Sequence, residues 1–275
     1  MHLSGGGMAK ANGIPTIGLG TFGLTGEPGT AAMKAALDTG YRHLDTAQSY
    51  GTEENVGRAI AASGLARNDV FVTTKVTEKN LSRIGESIDE SLAAMRLDRA
   101  DLVLIHWPAP DDAPPVRDYI DDLARLQDSG RTRLIGVSNF TRRHVDEAIA
   151  EIGEGRLTTN QVERHLFLQN RVLADHCHDA GLVITAYKPL TGAAEGAEPE
   201  LDRVAEKHGA TATQVALAFL LAEGSVVIPK SADPARQESN LAASDLALDA
   251  DDMDALRRLD RGERHIAPSW GPDWD

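Results

Sequence analysis

The chain has 275 residues, 41% of them hydrophobic, and a formal net charge of −14, with a pI near 5.0. That length suits one large domain or two small ones, and the acidic balance sets the chain against phosphodiester backbones, which excludes general nucleic-acid binding. Cys177 is the only cysteine, so an intramolecular disulfide is excluded, and no run approaches the roughly 18 apolar residues of a membrane span; the expectation is a cytoplasmic protein with no membrane partner.

Residues 1–13 are Gly-rich, lack the apolar core of a signal peptide and read as a small plug or tail. From there short apolar runs alternate with amphipathic segments. Strand 17–20 precedes helix 30–38, 42–45 precedes 53–62, 70–75 precedes 81–95, and 102–106 precedes 116–127. Then 134–138 precedes 142–152, 159–162 precedes 170–178, 182–187 precedes 199–221, and 226–229 precedes 234–241. A last helix, 251–259, starts near Asp249, and 262–275 reads as a tail. Side-chain caps support several boundaries: Asn80, Thr141, and Asp233 followed by Pro234 start helices, while Gly40 and Gly181 end them. Eight strand–helix units in about 250 residues predict a closed (β/α)8 TIM barrel, of class α/β and forming a single domain over 1–275.

Four polar residues follow these apolar runs. Asp45, Lys75 and His106 each stand directly after one, and Tyr50 follows Asp45 by a short loop. On a barrel they emerge together on the catalytic rim. A Tyr beside a Lys gives up its phenolic proton more easily, and a carbonyl needs that proton to accept a hydride. Gly18, Gly20 and Gly23 spell G-x-G-x-x-G after a strand, which is also a dinucleotide fingerprint if a helix opens on the third glycine. The stretch 24–29, with Gly26, Pro28 and Gly29, interrupts such a helix, so tight turns at a strand end are the better reading. His165, His176 and His178 invite a metal reading, but His176 and His178 face apart on a helix, so no metal is expected.

Further segments extend the pattern in order along the chain: Gly18 to Thr21, Leu44 to Ala47 with Tyr50 and Gly51, Thr74 and Lys75, Leu104 to Pro108, Ile135 to Phe140, Asn160 and Gln161, and Ile228 to Ser231. With them the chain resembles the aldo-keto reductases. Within that family it is most similar to the prokaryotic 2,5-diketo-D-gluconate reductases of B type and the methylglyoxal reductases. The resemblance implies NADPH-dependent reduction of small activated aldehydes and ketones by a monomer, with Tyr50 as general acid, Lys75 lowering its pKa, Asp45 holding Lys75, and His106 orienting the carbonyl. It implies that Ser138, Asn139 and Gln161 hold the nicotinamide carboxamide and that Tyr187 stacks on its ring. Lys188 would reach the pyrophosphate and Leu190 would also touch the cofactor. Lys230, Ser231 and Arg236 would take the 2′-phosphate, and Asn240 the adenine. Phe22, Thr77 and Trp107 would line the substrate pocket, with Trp270 as a further aromatic wall; many relatives carry Trp where this chain has Thr77, which widens the pocket. A non-catalytic NADP(H)-sensing module of the same fold is the alternative.

Overall fold

The computed structural model describes residues 9–275. Eight parallel strands run in sequence order around one sheet: β1 (Leu19–Gly20), β2 (His43–Asp45), β3 (Phe71–Val76), β4 (Ala100–Ile105), β5 (Thr132–Ser138), β6 (Leu157–Glu163), β7 (Val183–Tyr187) and β8 (Val226–Val227). The sheet closes on itself. Ile17 bridges Val227 in parallel, Gly18 N donates to Val227 O at 2.9 Å, and Gly20 N donates to Pro229 O at 3.1 Å. Gly20 is required at this seam, because a Cβ there would lie 2.9 Å from Ile228 O. The predicted (β/α)8 barrel is the observed fold.

Alternation along the strands sorts the side chains. Leu44, Val72, Val103, Ile105, Val137, Val162 and Ile184 face outward into the helix-covered core. Phe71, Leu102, Leu104, Val183 and Val226 face inward with Ile14, closing the N-terminal end of the barrel. Ile14 comes from a short antiparallel hairpin, Lys10–Ala11 with Ile14–Pro15. Of the segment 1–13, expected as a plug or tail, residues 1–8 lie outside the described residues. Continuing inward and upward, His43 Nε2 meets Thr73 Oγ1 at 2.9 Å, and the next inward pair is Asp45 and Lys75.

The helices are α1 (Gly26–Thr39), α2 (Glu53–Ser63), α3 (Ile84–Met95), α4 (Arg117–Asp128), α5 (Arg142–Ile152), α6 (Arg171–Asp179), α7 (Pro199–His208), α8 (Ala212–Ala222), α9 (Pro234–Leu241) and α10 (Ala250–Arg257). Among the described residues, no helix is long and apolar enough to cross a membrane. Three differences from the sequence reading go beyond a residue or two at an element's end. First, α1 opens at Gly26, three residues after Gly23, so the glycine-rich stretch does lead into a helix; what excludes the dinucleotide fingerprint is the closed barrel order. Second, the helix expected over 199–221 is two helices. Gly209, with φ +59°, ends α7, and Thr211 opens α8 through a capping box with Gln214. Third, Asn80 does not cap a helix: it lies within a 3₁₀ segment, Glu78–Arg83, and its side-chain amide donates to Gln48 Oε1 at 2.9 Å. Thr141, Asp233 and Asp249 cap α5, α9 and α10 through their side chains.

Candidate active site

At the C-terminal end of the strands the inward residues become polar. Lys75, at the end of β3, is fully buried and uses its three protons on protein acceptors. Its Nζ donates to Asp45 Oδ1 at 2.5 Å, to Thr46 O at 2.9 Å and to Tyr50 Oη at 3.5 Å. The second oxygen of Asp45 accepts from Gln161 Nε2 at 2.7 Å. Tyr50 ends a 3₁₀ turn, Gln48–Tyr50, that follows β2. Because its oxygen accepts from Lys75, its own O–H is left to point elsewhere.

The electrostatics follow from that burial. Desolvation works against the charge on Lys75, but Asp45 and Tyr50 outweigh it, and the ammonium is held above the ordinary amine value. Burial is also the largest influence on Tyr50 and pushes its phenol above the ordinary value, with Lys75 pulling the other way. Lys75 acts to lower this phenol by its charge and its hydrogen bond, as expected, but burial outweighs it and the net shift is upward. Tyr50 stays protonated at neutral pH, the state a proton donor needs. His106, just past β4, is pushed down to about 3 by burial and by Lys75, so its imidazole is neutral. Its ring stands edge-on to Tyr50 with centroids 5.5 Å apart.

These groups open onto one cavity of about 500 Å³. Asp45, Tyr50 and His106 line it, as do Ser138, Asn139, Gln161, Tyr187, Lys188 and Lys230. Asn139 is central to that wall. Its Nδ2 donates to His106 O at 3.0 Å and Ser138 Oγ at 3.1 Å, and its Oδ1 accepts from Tyr187 Oη at 2.9 Å. Phe22 and Trp107 supply aromatic surface, with Phe22 edge-on to Tyr50 at 5.1 Å. Thr77 is not brought to this cavity: its hydroxyl donates to Glu78 Oε2 at 2.7 Å and its N–H to Gln48 Oε1 at 3.1 Å.

The other residues assigned to the cofactor lie apart from the cavity. Ser231 and Arg236 sit at the start of α9, and their surroundings differ from the sequence expectation. Asp233 accepts from the N–H groups of Ala235 and Arg236, at 2.9 Å and 3.4 Å, and pairs with the Arg236 side chain at 3.5 Å. The helix end is thus already capped by a carboxylate. Asn240 is buried on the same helix, and Leu190 packs against the main core. Among the described residues no cluster of three His, Cys, Asp or Glu is arranged to hold a metal ion; His176 instead meets Asp146 at 2.7 Å.

Two features of the site go beyond the sequence reading, which placed only Trp270 of the last residues near the pocket. Residues 262–275 are more than a tail: Ile266 lines the cavity, and Trp270 and Trp274 stand edge-on to Trp107 at 5.4 Å and 6.2 Å. They are fastened by Glu163, the last residue of β6, whose buried carboxylate accepts from His265 N at 3.1 Å and Ile266 N at 2.8 Å. Burial alone would raise its pKa; His165 and these two N–H groups reverse that and hold it below the usual carboxylate value. The second feature is Ser49, whose Oγ lies 3.4 Å from His106 Nδ1.

The sequence pattern of the Aldo/keto reductase family matches residues 16–261. Methylglyoxal reductase DkgB of Salmonella typhi is 43% identical over 265 residues, 95% of this chain and 99% of that protein. The DkgB protein of Escherichia coli O157:H7 is 42% identical over the same shares. Among solved structures, one provisionally named 2,5-diketo-D-gluconic acid reductase B superposes with a TM-score of 0.89 at 37% identity over 96% of each chain. The aldose reductase of Schistosoma japonicum superposes with a TM-score of 0.86 at 31% identity, over 92% of this chain and 91% of that one.

Proposed function

The chain belongs to the aldo/keto reductase family, and from that premise we propose that it is an NADPH-dependent reductase of small activated aldehydes and ketones such as methylglyoxal and 2,5-diketo-D-gluconate. The observation that carries this reading is the buried Lys75 ammonium donating to Tyr50 Oη from behind, with Tyr50 and a neutral His106 facing one cavity.

The residues present fit a nicotinamide dinucleotide. Ser138, Asn139 and Gln161 offer an amide-rich wall next to the Tyr187 ring. Lys188 and Lys230 stand at the same cavity without a carboxylate partner among the described residues, in a chain of net charge −14; free cations there suit phosphate groups. When bound, the nicotinamide supplies a hydride to the carbonyl carbon. The protein does the rest. Tyr50 O–H protonates the carbonyl oxygen, and Lys75 stabilises the phenolate that is left, with Asp45 keeping Lys75 in place. His106 donates a hydrogen bond to the same oxygen and fixes its direction. Phe22, Trp107, Ile228 and Ile266 exclude water from the reacting atoms.

Substrate size follows from the volume. About 500 Å³ must hold the nicotinamide end as well as the carbonyl compound, which favours short α-dicarbonyls over steroids or long chains. The test is NADPH consumption against a carbonyl panel, for the wild type and Tyr50→Phe. We expect methylglyoxal to exceed a steroid ketone in kcat/KM, and the variant to lose about 10²-fold in turnover, the scale of a general acid, with NADPH affinity unchanged. Near-wild-type turnover by Tyr50→Phe defeats the mechanism, and NADPH binding without turnover of any carbonyl favours the sensing module.

A further inference from the structure

We infer that Ser49 is a positioning residue for this reaction: its hydroxyl donates to His106 Nδ1 and so keeps the ring hydrogen on Nε2, the nitrogen open to the substrate carbonyl. The inference rests on the reductase reading above and adds to it a residue that does not line the cavity.

A neutral imidazole carries one hydrogen on one of its two nitrogens, and the hydrogen bond made by the other nitrogen decides which. Here Nδ1 has a single partner, Ser49 Oγ at 3.4 Å. Nε2 has no partner among the described residues, yet it is not among the buried polar atoms that lack one, so it opens to the cavity that His106 lines. The two tautomers differ sharply at that point. With hydrogen on Nε2, the ring donates to a carbonyl oxygen. With hydrogen on Nδ1, a lone pair faces that oxygen and repels it. A Ser49 hydroxyl that donates to Nδ1 selects the first.

The turn that carries Ser49 is well held. Gln48, its neighbour, accepts from Thr77 N at 3.1 Å and Asn80 Nδ2 at 2.9 Å, and donates to Ser87 O at 3.1 Å and Ser91 Oγ at 3.2 Å. Tyr50 follows on the other side. The 3₁₀ turn that presents the proton donor therefore also presents the group that orients the imidazole. Ser49 itself is exposed, so removing its hydroxyl leaves the core intact.

The experiment is nitrogen-15 NMR of histidine-labelled full-length protein, with His106→Asn to assign the resonance, alongside steady-state kinetics of Ser49→Ala and Ser49→Thr. In the wild type His106 is expected as the Nε2–H tautomer. Ser49→Ala should give mixed tautomers and a loss of about 3- to 10-fold in kcat/KM for methylglyoxal, the scale of one neutral hydrogen bond, with NADPH affinity unchanged. Ser49→Thr should restore both readouts. An Nδ1–H tautomer in a wild type that reduces carbonyls, or an alanine variant unchanged in either readout, overturns this inference alone. A wild type that reduces no carbonyl overturns the reductase reading beneath it, while the tautomer remains measurable.

Discussion

Replacing Lys75 with Met tests the centre of the site, because the two charges there have almost no access to water. Asp45 is 1% exposed and Lys75 is 0% exposed. Removing the ammonium leaves the Asp45 carboxylate with Gln161 Nε2, at 2.7 Å, as its remaining side-chain donor. Breaking a buried ion pair from one side costs about 3–5 kcal/mol. For a chain somewhat longer than 250 residues, 1 kcal/mol moves Tm by about 2–4 °C, so Lys75→Met should melt about 6–20 °C below the wild type. The pH dependence carries the sharper signature. An unpaired buried carboxylate has a folded pKa above its unfolded value, so its contribution is fully present below the unfolded pKa and is lost as pH rises through the folded one. The variant should therefore lose ground to the wild type on going from about pH 4 to neutrality, and adding Asp45→Asn should recover part of the loss. Thermal melts at pH 5 and pH 8 read both effects, and NADPH consumption reads the accompanying fall in turnover. A Tm within 2 °C of the wild type at both pH values would refute the reasoning.

Three other outcomes follow from groups around the site. Glu163→Gln removes the charge and leaves one oxygen to accept from the N–H groups of His265 and Ile266, so the carbonyl KM should rise several-fold with NADPH affinity unchanged; faster tryptic cleavage at Arg261 and Arg264 is the independent check, and unchanged cleavage would mean that the fastening is unimportant. Lys230→Ala or Arg236→Ala should weaken NADPH by about 1.5–3 kcal/mol, the scale of a charged hydrogen bond, and NADH far less, as measured by fluorescence titration; equal losses for both cofactors would mean that neither residue reads the 2′-phosphate. Acid should destabilise the fold before ordinary carboxylates titrate: His43 and His106 are pushed down to about 4 and about 3 by burial, so unfolding takes up their protons once pH falls below about 6.5, and stability should fall with pH through that window by on the order of 3 kcal/mol for His43 alone. Urea midpoints from pH 7 to pH 4 check it, and a flat profile would contradict the burial of these two rings.

Much of this architecture was legible because the barrel writes a simple code. Phe71, Thr73 and Lys75 alternate inward, and so do Leu102, Leu104 and His106; a polar residue that ends such a run must lie at the rim. Helix ends were less legible. The break between α7 and α8 is visible afterwards in Gly209 and in the Thr211–Gln214 box, yet the apolar residues on either side read as one continuous helix. At α9 the capping role of Asp233 was readable, but its consequence was not: a cap brings a negative charge into the place assigned to a phosphate. Ser49 carries no local signal, since its partner is 57 residues away. Trp270 was legible as an aromatic wall, but the fastening of residues 262–275 was hidden for the same reason, because no short-range pattern shows that Glu163 waits for their N–H groups.

That wait has a duration. His265 N and Ile266 N are 102 and 103 residues beyond Glu163. A chain made at about 5–20 residues per second reaches them roughly 5–20 s after the carboxylate. Until then the carboxylate at the end of β6 has only His165, two residues on, and water as partners. The mouth of the barrel must stay wet through that interval, even where the strands beneath it have already paired. Closing the loop replaces that water with two N–H donors and brings in Ile266. The pocket thus takes its full lining only once a segment about a hundred residues beyond β6 has docked.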